Sequence, residues 1–383
     1  MNERALTIGM VAGEASGDNL GAPLIRELKA RCPDARFIGV GGKAMIEEGF
    51  ESLFDIERLS VNGIVDPLKR LPDLIRMVFA LRRLFRENEI DCFIGVDFNF
   101  FNGWLETMMK KDGVRNVHYV SPTIWAWRSG RIKKIARDID LMLTLYPFEN
   151  AIYETHGVRA RFVGHPKAHE IAMDQGETQK IAARQSLEID DEALLIAILP
   201  GSRGGEVEMS GPDFFRAAAL LHKDLNCQFV VPAANEKRLA QIRNLWSSLV
   251  GDVPVQVIQG DALKAMTAAD AVLVNSGTAT LEALLLRRPM VMSYRLGRYT
   301  YALVSRMVKT AYFALPNILH GGELVPEFIQ DDATPQALAD AMKKLLAEPH
   351  EPLMETFTQI HKTLRTDSGS VAAEEILNLL EES

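Results

Sequence analysis

What the sequence lacks narrows it first. Its three cysteines, Cys32, Cys92 and Cys227, lie far apart with no CxxC pair. Neither a disulfide framework nor a cysteine zinc site is expected, and a reducing compartment fits. No uninterrupted apolar run reaches the roughly 18 residues that a bilayer span needs. Met1-Asn-Glu-Arg4 runs into a strand-like segment without the basic and apolar regions of a signal peptide. Basic charge is not in excess: Lys and Arg total 43 against 51 acidic residues, a net charge of −8, so general nucleic-acid binding is not expected. Repeats and low-complexity runs are also missing. With 47% hydrophobic and 25% charged residues the chain reads as soluble and globular, and 383 residues predict two domains rather than one core.

What is present is an alternation of short apolar runs and helical spacing. Ala5–Ala12 reads as a buried strand, then come Gly13-Glu-Ala-Ser-Gly-Asp18, a helix from about Asn19 to Arg31, and a second strand, Arg36–Val40. This βαβ opening implies a right-handed crossover and a parallel sheet. The spacing Gly13, Gly17, Gly21 is not GxGxxG, and Glu14 and Asp18 would repel a pyrophosphate. The turn therefore reads as a polar loop for sugar hydroxyls or an acceptor, with Ser16 as a hydrogen-bonding member. The plainer reading is helix capping, and for Asp18 it is the better one.

Asp97 ends the apolar run Asp91–Val96, and active sites of open α/β sheets collect at the carboxyl ends of strands. Its aromatic neighbours Phe98, Phe100 and Phe101 would raise its proton affinity, as a general base near neutral pH needs. Capping is the default for a lone Asp after a strand, but Asn102 is available to cap a helix over 103–111 instead. The strand Asn116–Val120 leads into Ser121-Pro-Thr-Ile-Trp-Ala-Trp127-Arg128, where two tryptophans could stack on a sugar, line an acyl groove or pack a core. His165, in Gly164-His-Pro166, could donate to a phosphate or simply sit in its turn. Between 62 and 86 runs an apolar stripe of Ile64, Val65, Leu68, Leu71, Leu74, Ile75, Val78 and Phe79, among Lys69, Arg70, Arg76, Arg82, Arg83 and Arg86. A basic amphipathic segment in an acidic protein suggests anionic lipid or an acyl chain; the alternative is a surface helix covering the sheet.

The polar segment Met173–Gln179 is the expected linker. After it, the run Leu194–Leu199 enters Leu199-Pro-Gly-Ser-Arg-Gly-Gly-Glu206. Gly201, Gly204 and Gly205 let backbone amides approach an anion, Ser202 adds a hydroxyl, and Arg203 adds a planar charged fork. A second such turn, Asn275-Ser-Gly-Thr-Ala-Thr-Leu-Glu282, places Ser276, Gly277 and Thr278 at a helix start, with Glu282 positioned for ribose hydroxyls. Asn317, in Leu315-Pro-Asn317, is placed to reach into a cleft. Two phosphate-type turns in one domain are more specific than either alone.

An α/β chain with two Rossmann-like βα domains facing a central cleft suggests a nucleotide-sugar enzyme of the GT-B type. On the motifs Gly13–Asp18, His118–Arg128, Leu199–Glu208, Ser276–Glu282 and Leu315–Asn317, covering nearly the whole chain, it resembles the lipid-A-disaccharide synthase family. The resemblance implies a UDP-2,3-diacylglucosamine donor and a 2,3-diacylglucosamine 1-phosphate acceptor, joined with inversion in a β-1,6 linkage as UDP leaves. It implies no cofactor and no metal, with UDP only as part of the donor. It makes Asp97 the base and Arg203 the stabiliser of the leaving diphosphate. Gly201, Ser202, Ser276, Gly277, Thr278 and Glu282 would bind the donor, and Glu14, Ser16 and Asn317 would complete the acceptor side. The stripe from Ile64 to Phe79 then becomes an acyl or membrane surface, implying a cytoplasmic protein held peripherally at the inner membrane, with a homodimer through the C-terminal helices. The implied domains are 1–172 (acceptor and membrane side), 173–349 (UDP-sugar) and 350–383 (helices packing back on the first domain or a partner). The family usually reads Gly-Ile-Asp-Ala-Pro-Asp-Phe-Asn around the base; here Gly95-Val-Asp-Phe-Asn-Phe-Phe-Asn102 keeps the first Asp but has Phe100 for the second and Phe98-Asn99 for Ala-Pro. Competing readings are a UDP-sugar epimerase or other UDP-sugar transferase on the same fold, and a non-catalytic membrane-docking nucleotide-binding module.

Overall fold

The computed structural model describes residues 5–59, 67–125, 129–174, 177–297, 301, 305 and 310–382. Ile64, Val65, Trp127 and Arg128 lie outside the described residues, and for Leu68, Lys69 and Arg70 only the helical backbone is described. The chain forms two compact units, Met1–His169 with Leu364–Ser383, and Glu170–Thr363.

The first unit strings β1 (Thr7–Ala12), α1 (Ala15–Arg31), β2 (Arg36–Val40), α2 (Lys43–Glu47), β3 (Glu51–Ser52), α3 (Pro67–Glu87), β4 (Cys92–Val96), α4 (Asn99–Lys111), β5 (Arg115–Tyr119), α5 (Ile132–Asp138), β6 (Leu141–Thr144), α6 (Glu149–Glu154), β7 (Ala160–Phe162) and α7 (Pro166–Glu170). Its strands lie in the order β3-β2-β1-β4-β5-β6-β7, parallel throughout. Strands covered on both faces must be apolar at every position, and alternation decides which helices each side chain meets. Ile8, Met10 and Ala12 pack with Leu20, Leu24 and Leu28 of α1. Val11 points the other way, to Leu74, Val78, Leu81 and Phe85 of α3 and Phe101 and Leu105 of α4. The final helix, Ser368–Glu381, returns to this unit: Ala372, Ala373, Ile376 and Leu379 join the α1 side of the core. Arg159 ties its end through Glu375 at 3.0 Å and Glu382 at 2.9 Å.

The second unit repeats the plan with α8 (Glu177–Ser186), β8 (Leu195–Leu199), α9 (Gly204–Leu225), β9 (Gln228–Ala233), α10 (Glu236–Val250), β10 (Val255–Gln259), α11 (Ala262–Ala268), β11 (Ala271–Asn275), α12 (Thr278–Leu285), β12 (Met290–Tyr294) and β13 (Glu327–Ile329). The order is β10-β9-β8-β11-β12-β13, again parallel.

Each sheet reverses its winding once, between β1 and β4 and between β8 and β11. At such a switch point the helices on either side leave in opposite directions and open a crevice beyond the carboxyl ends of the strands. Register sets what lines each crevice. Ala12 pairs with Val96, so the Gly13–Asp18 turn lies beside Asp97. Leu199 pairs with Val274, so the Leu199–Glu206 turn lies beside Ser276–Glu282.

Candidate functional site

At the first switch point the backbone is strained where it carries Asp97. Asp97 (φ 51°), Phe98 (φ 47°) and, one strand over, the β-branched Val120 (φ 83°) all occupy the left-handed region. Each such residue costs about 1–3 kcal/mol and persists only where its surroundings hold it. The Asp97 amide donates to the Tyr119 carbonyl at 2.7 Å, and the Asp97 carbonyl accepts from Asn102 Nδ2 at 2.7 Å. That carboxamide also donates to the Val11 carbonyl at 3.2 Å, tying the two switch strands together. Asn102 is thus a brace beneath Asp97 and not the expected cap, because α4 begins at Asn99, four residues before the predicted start.

Glu14 and Ser16 are exposed on the neighbouring turn. Gly13 must be glycine here: a Cβ would stand 2.3 Å from the Phe98 ring. Asp18 does cap a helix, though not its own. α1 begins at Ala15, and the buried Asp18 carboxylate accepts from the amides of Gly42, Ala44 and Met45 at 2.8–3.0 Å, capping α2. Behind Asp97 lies a pair that the sequence reading missed. His118 and Glu106 are both buried, with His118 Nδ1 bonded to Glu106 Oε1 and Nε2 3.1 Å from Asn99 Oδ1. Burial lowers the proton affinity of His118, but the Glu106 carboxylate with its hydrogen bond, Asp97 and the Val120 backbone together hold its pKa above the ordinary value. A third buried group sits under the tryptophan turn. Burial pushes the Glu149 carboxyl up to about 7, against the hydrogen bond from the Tyr146 amide and the nearby Ser121 hydroxyl. Trp125 meets Phe148 edge-on at 5.3 Å, and Tyr146 stacks on Phe148 at 5.7 Å.

At the second switch point the chemistry is inverted. Gly201 (φ 122°) turns the chain so closely over Glu206 that a Cβ would lie 2.4 Å from the Glu206 Cβ. The amides of Ser202 and Arg203 donate to Glu206 Oε2 at 3.0 and 3.2 Å, so the Glu206 carboxylate holds the turn at the start of α9. Those two amides are therefore engaged within the turn. The Arg203 guanidinium stands out, its side chain 86% exposed and only loosely paired with Glu206 at 3.4 Å. Across the switch, Gly277 (φ 147°) and Thr278 are exposed at the start of α12, and Ser276 Oγ donates to the Phe313 carbonyl at 3.3 Å. Glu282 lies half-buried on α12. Tyr294, at the end of β12, senses the charges of this turn. Burial and the Glu206 charge raise its phenol pKa, against Arg203.

Asn317 does not meet the expectation that it reaches into a cleft. It is fully buried; its Nδ2 donates to the Val325 carbonyl and Glu327, and its Oδ1 accepts from the amides of Leu324 and Val325. Both protons and both lone pairs are used, so it braces the segment whose Phe313 carbonyl receives Ser276. A cation was also missed. Arg238, 9% exposed on the first turn of α10, lies against Gly204 so closely that a Cβ there would be 1.9 Å from Nη1. Among the described residues its guanidinium has no hydrogen bond or ion pair, and it sits near the positive ends of both α9 and α10.

The stripe on α3 divides into two faces. Leu74 (8% exposed) and Val78 (1%) belong to the core and are withdrawn from any lipid role, while Leu71 is half-buried. Ile75 and Phe79 are 39% and 54% exposed, with Arg76, Arg83 and Arg86 exposed around them. The 71/74/78 spacing that looked like a lipid face is the core side, and among the described stripe residues it is the 75/79 pair that points outward. No helix among the described residues is long and apolar enough to cross a membrane.

A family model described as lipid-A-disaccharide synthetase matches residues 8–376. The chain is 45% identical to a lipid-A-disaccharide synthase of Hahella chejuensis over 383 residues, covering 100% of this chain and 96% of that one. It is 48% identical to the Azotobacter vinelandii protein of the same name over 379 residues, 98% of each. Among solved structures it resembles a UDP-GlcNAc 2-epimerase of Neisseria meningitidis bound to UDP-GlcNAc (TM-score 0.63, 13% identity, 99% of this chain and 100% of that one). It also resembles a glycosyltransferase of Rickettsia africae (TM-score 0.60, 9% identity, 100% and 99%). At such identities these two speak for the fold alone, which is of the GT-B type.

Proposed function

The chain belongs to the lipid-A-disaccharide synthase family and is a glycosyltransferase that forms the lipid A disaccharide; from that premise we propose how its residues divide the reaction. The donor is UDP-2,3-diacylglucosamine and the acceptor 2,3-diacylglucosamine 1-phosphate. Asp97 takes the proton of the acceptor 6-hydroxyl as that oxygen attacks the donor's anomeric carbon. The bond from that carbon to the diphosphate breaks, its electron pair leaves with UDP, and the new β-1,6 linkage forms with inversion. Arg203, Thr278 and the amide-rich start of α12 meet the charge that develops on the diphosphate, with no metal in the proposed step. Ser276 and Gly277 shape the donor turn, Glu282 holds the ribose, and Glu14 and Ser16 meet the acceptor.

One observation supports this division above the others: among the described residues at the two switch points, the left-handed backbone that carries a carboxylate is at Asp97, where Asn102 and Tyr119 hold it. The test is a mass-spectrometric product assay with both acylated substrates. Asp97→Asn is expected to lower kcat about a thousandfold while leaving UDP affinity unchanged. Near-normal turnover by that variant would remove Asp97 from the base role, and turnover of soluble UDP-sugars without an acylated acceptor would favour an epimerase-like activity.

The protein is proposed to work at the inner-membrane surface, docking through Ile75 and Phe79 within their ring of arginines. Replacing both by Ser should release it from anionic vesicles without changing thermal stability, since neither is in the core. Unchanged vesicle binding would end the docking role. A homodimer through the C-terminal helices remains a separate proposal, for sedimentation to decide.

A further inference from the structure

The buried pair behind Asp97 has no part in the reaction as divided above, yet burying it is expensive. Removing an ionised carboxylate and an imidazole from water costs several kcal/mol per ion unless their hydrogen bonds are complete. Here each is bonded to the other. Glu106 on α4 and His118 on β5 have side chains 5% and 4% exposed. His118 faces an acceptor at each ring nitrogen, the Glu106 carboxylate at Nδ1 and the Asn99 amide oxygen at Nε2. An imidazolium satisfies an acceptor at both nitrogens, in line with the raised proton affinity of His118. The strand makes room for it: at Gly95, the register partner of His118 on β4, a Cβ would stand 2.7 Å from Glu106 Oε1.

Two residues along β4 from Gly95 comes Asp97, and two residues after that Asn99, the first residue of α4. We infer that His118, held by Glu106, is the positioning residue of the base: its imidazolium fixes Asn99 at the start of α4 and places a positive charge behind the Asp97 carboxylate. The inference rests on Asp97 being the base. The ring engages the Asn99 amide oxygen and so turns Asn99 Nδ2 away from it. The other charges near the pair are Lys134 and Asp138 on α5, which bond each other at 3.0 Å, and Glu14 and Asp18 on the α1 turn, the second committed to α2. Lys134 is neutralised by Asp138, which leaves His118 as the charge that senses Asp97. Because Asp97 and His118 sense each other, the acid limb of the rate profile belongs to the pair and not to one residue.

The experiment uses the full-length protein labelled with 15N-histidine, together with pH–rate profiles in the two-substrate assay. At pH 7 the His118 ring should be protonated at both nitrogens, and Asp97→Asn should move its titration to lower pH. His118→Asn and Glu106→Gln should each lower kcat about a hundredfold, the scale of a small misplacement of a reacting group. Both should also move the acid limb, since each changes the charge of the coupled pair that sets it. Asn99→Ala, which leaves the buried pair intact should the other variants fail to fold, should lower kcat with the limb in place. A neutral ring at pH 7 would overturn the inference. So would a loss of kcat in His118→Asn at every pH with an unmoved limb, which is what a merely structural residue would give. If Asp97→Asn itself keeps turnover, the base assignment and this inference fall together; if that variant collapses while the limb of His118→Asn stays put, only this inference falls.

Discussion

The two switch points are the same device of strand order carrying opposite chemistry. In the first unit the turn is stiff and its polar groups face inward: Asn102 braces Asp97, Asp18 serves α2, and His118 and Glu106 are sealed behind the strand. In the second the functional groups face out: Arg203 is largely exposed, as are Gly277 and Thr278. The difference follows from what each must do. A base must hold one oxygen within hydrogen-bonding range of a particular hydroxyl, and backbone strain and buried bonds provide that rigidity. A diphosphate site must present donors and positive charge to a flexible anion, and glycine turns with a mobile arginine provide that reach.

The sharpest way to break this comparison is to remove the charge on the open side. Arg203→Ala should lower kcat by about a hundredfold or more, less than the loss expected for Asp97→Asn, and unlike that variant it should also weaken UDP binding. Titration calorimetry with UDP separates the two. If Asp97→Asn weakened UDP as much as Arg203→Ala does, the division of labour would fail.

Next in size is Arg238. A buried guanidinium without a partner beside two helix starts is unfavourable until an anion arrives, so Arg238→Leu should raise the donor KM about tenfold, the scale of one charge-assisted bond, while thermal stability holds or rises. A fall in stability with unchanged KM would make it a packing residue and leave the open side with one cation.

How far each side was legible in the sequence follows from the distances involved. The glycine turns and Asp97 are local patterns at strand ends, and parallel sheets of strands covered on both faces are written as short apolar runs; both units could be read directly. The first unit's discontinuity could not, because the Ser368–Glu381 helix meets α1 only after more than three hundred residues. The same limit hid the pair behind Asp97, since His118 lies 12 residues from Glu106 and 19 from Asn99 in sequence and meets both only through the β4–β5 register. Where local patterns misled, two geometries shared one signal. Asp18 reads equally well as a cap for its own helix or for a neighbour. Leu74 and Ile75 are adjacent on α3, yet one is in the core and the other in water. Asn317, in a loop, looked available because its four partners are backbone groups and a glutamate at positions 324–327.

The smallest effect concerns stability and tests whether the closed side is closed as far as the tryptophan turn. Glu149 is buried with a pKa raised to about 7 by burial. A carboxyl whose folded pKa lies above its unfolded one binds more protons in the folded state between those values, so the folded state loses stability as pH rises from about 4.5 to about 7 and is level above that. Glu149→Gln removes the titration and keeps most of the hydrogen-bonding shape. The variant should therefore gain on the natural protein as pH rises, by at most on the order of 3 kcal/mol near pH 8, with little difference near pH 4. Thermal unfolding across pH 4–8 reads this directly. A constant difference between the two proteins would mean that water reaches Glu149, and that the inward-facing network of the first unit ends at His118.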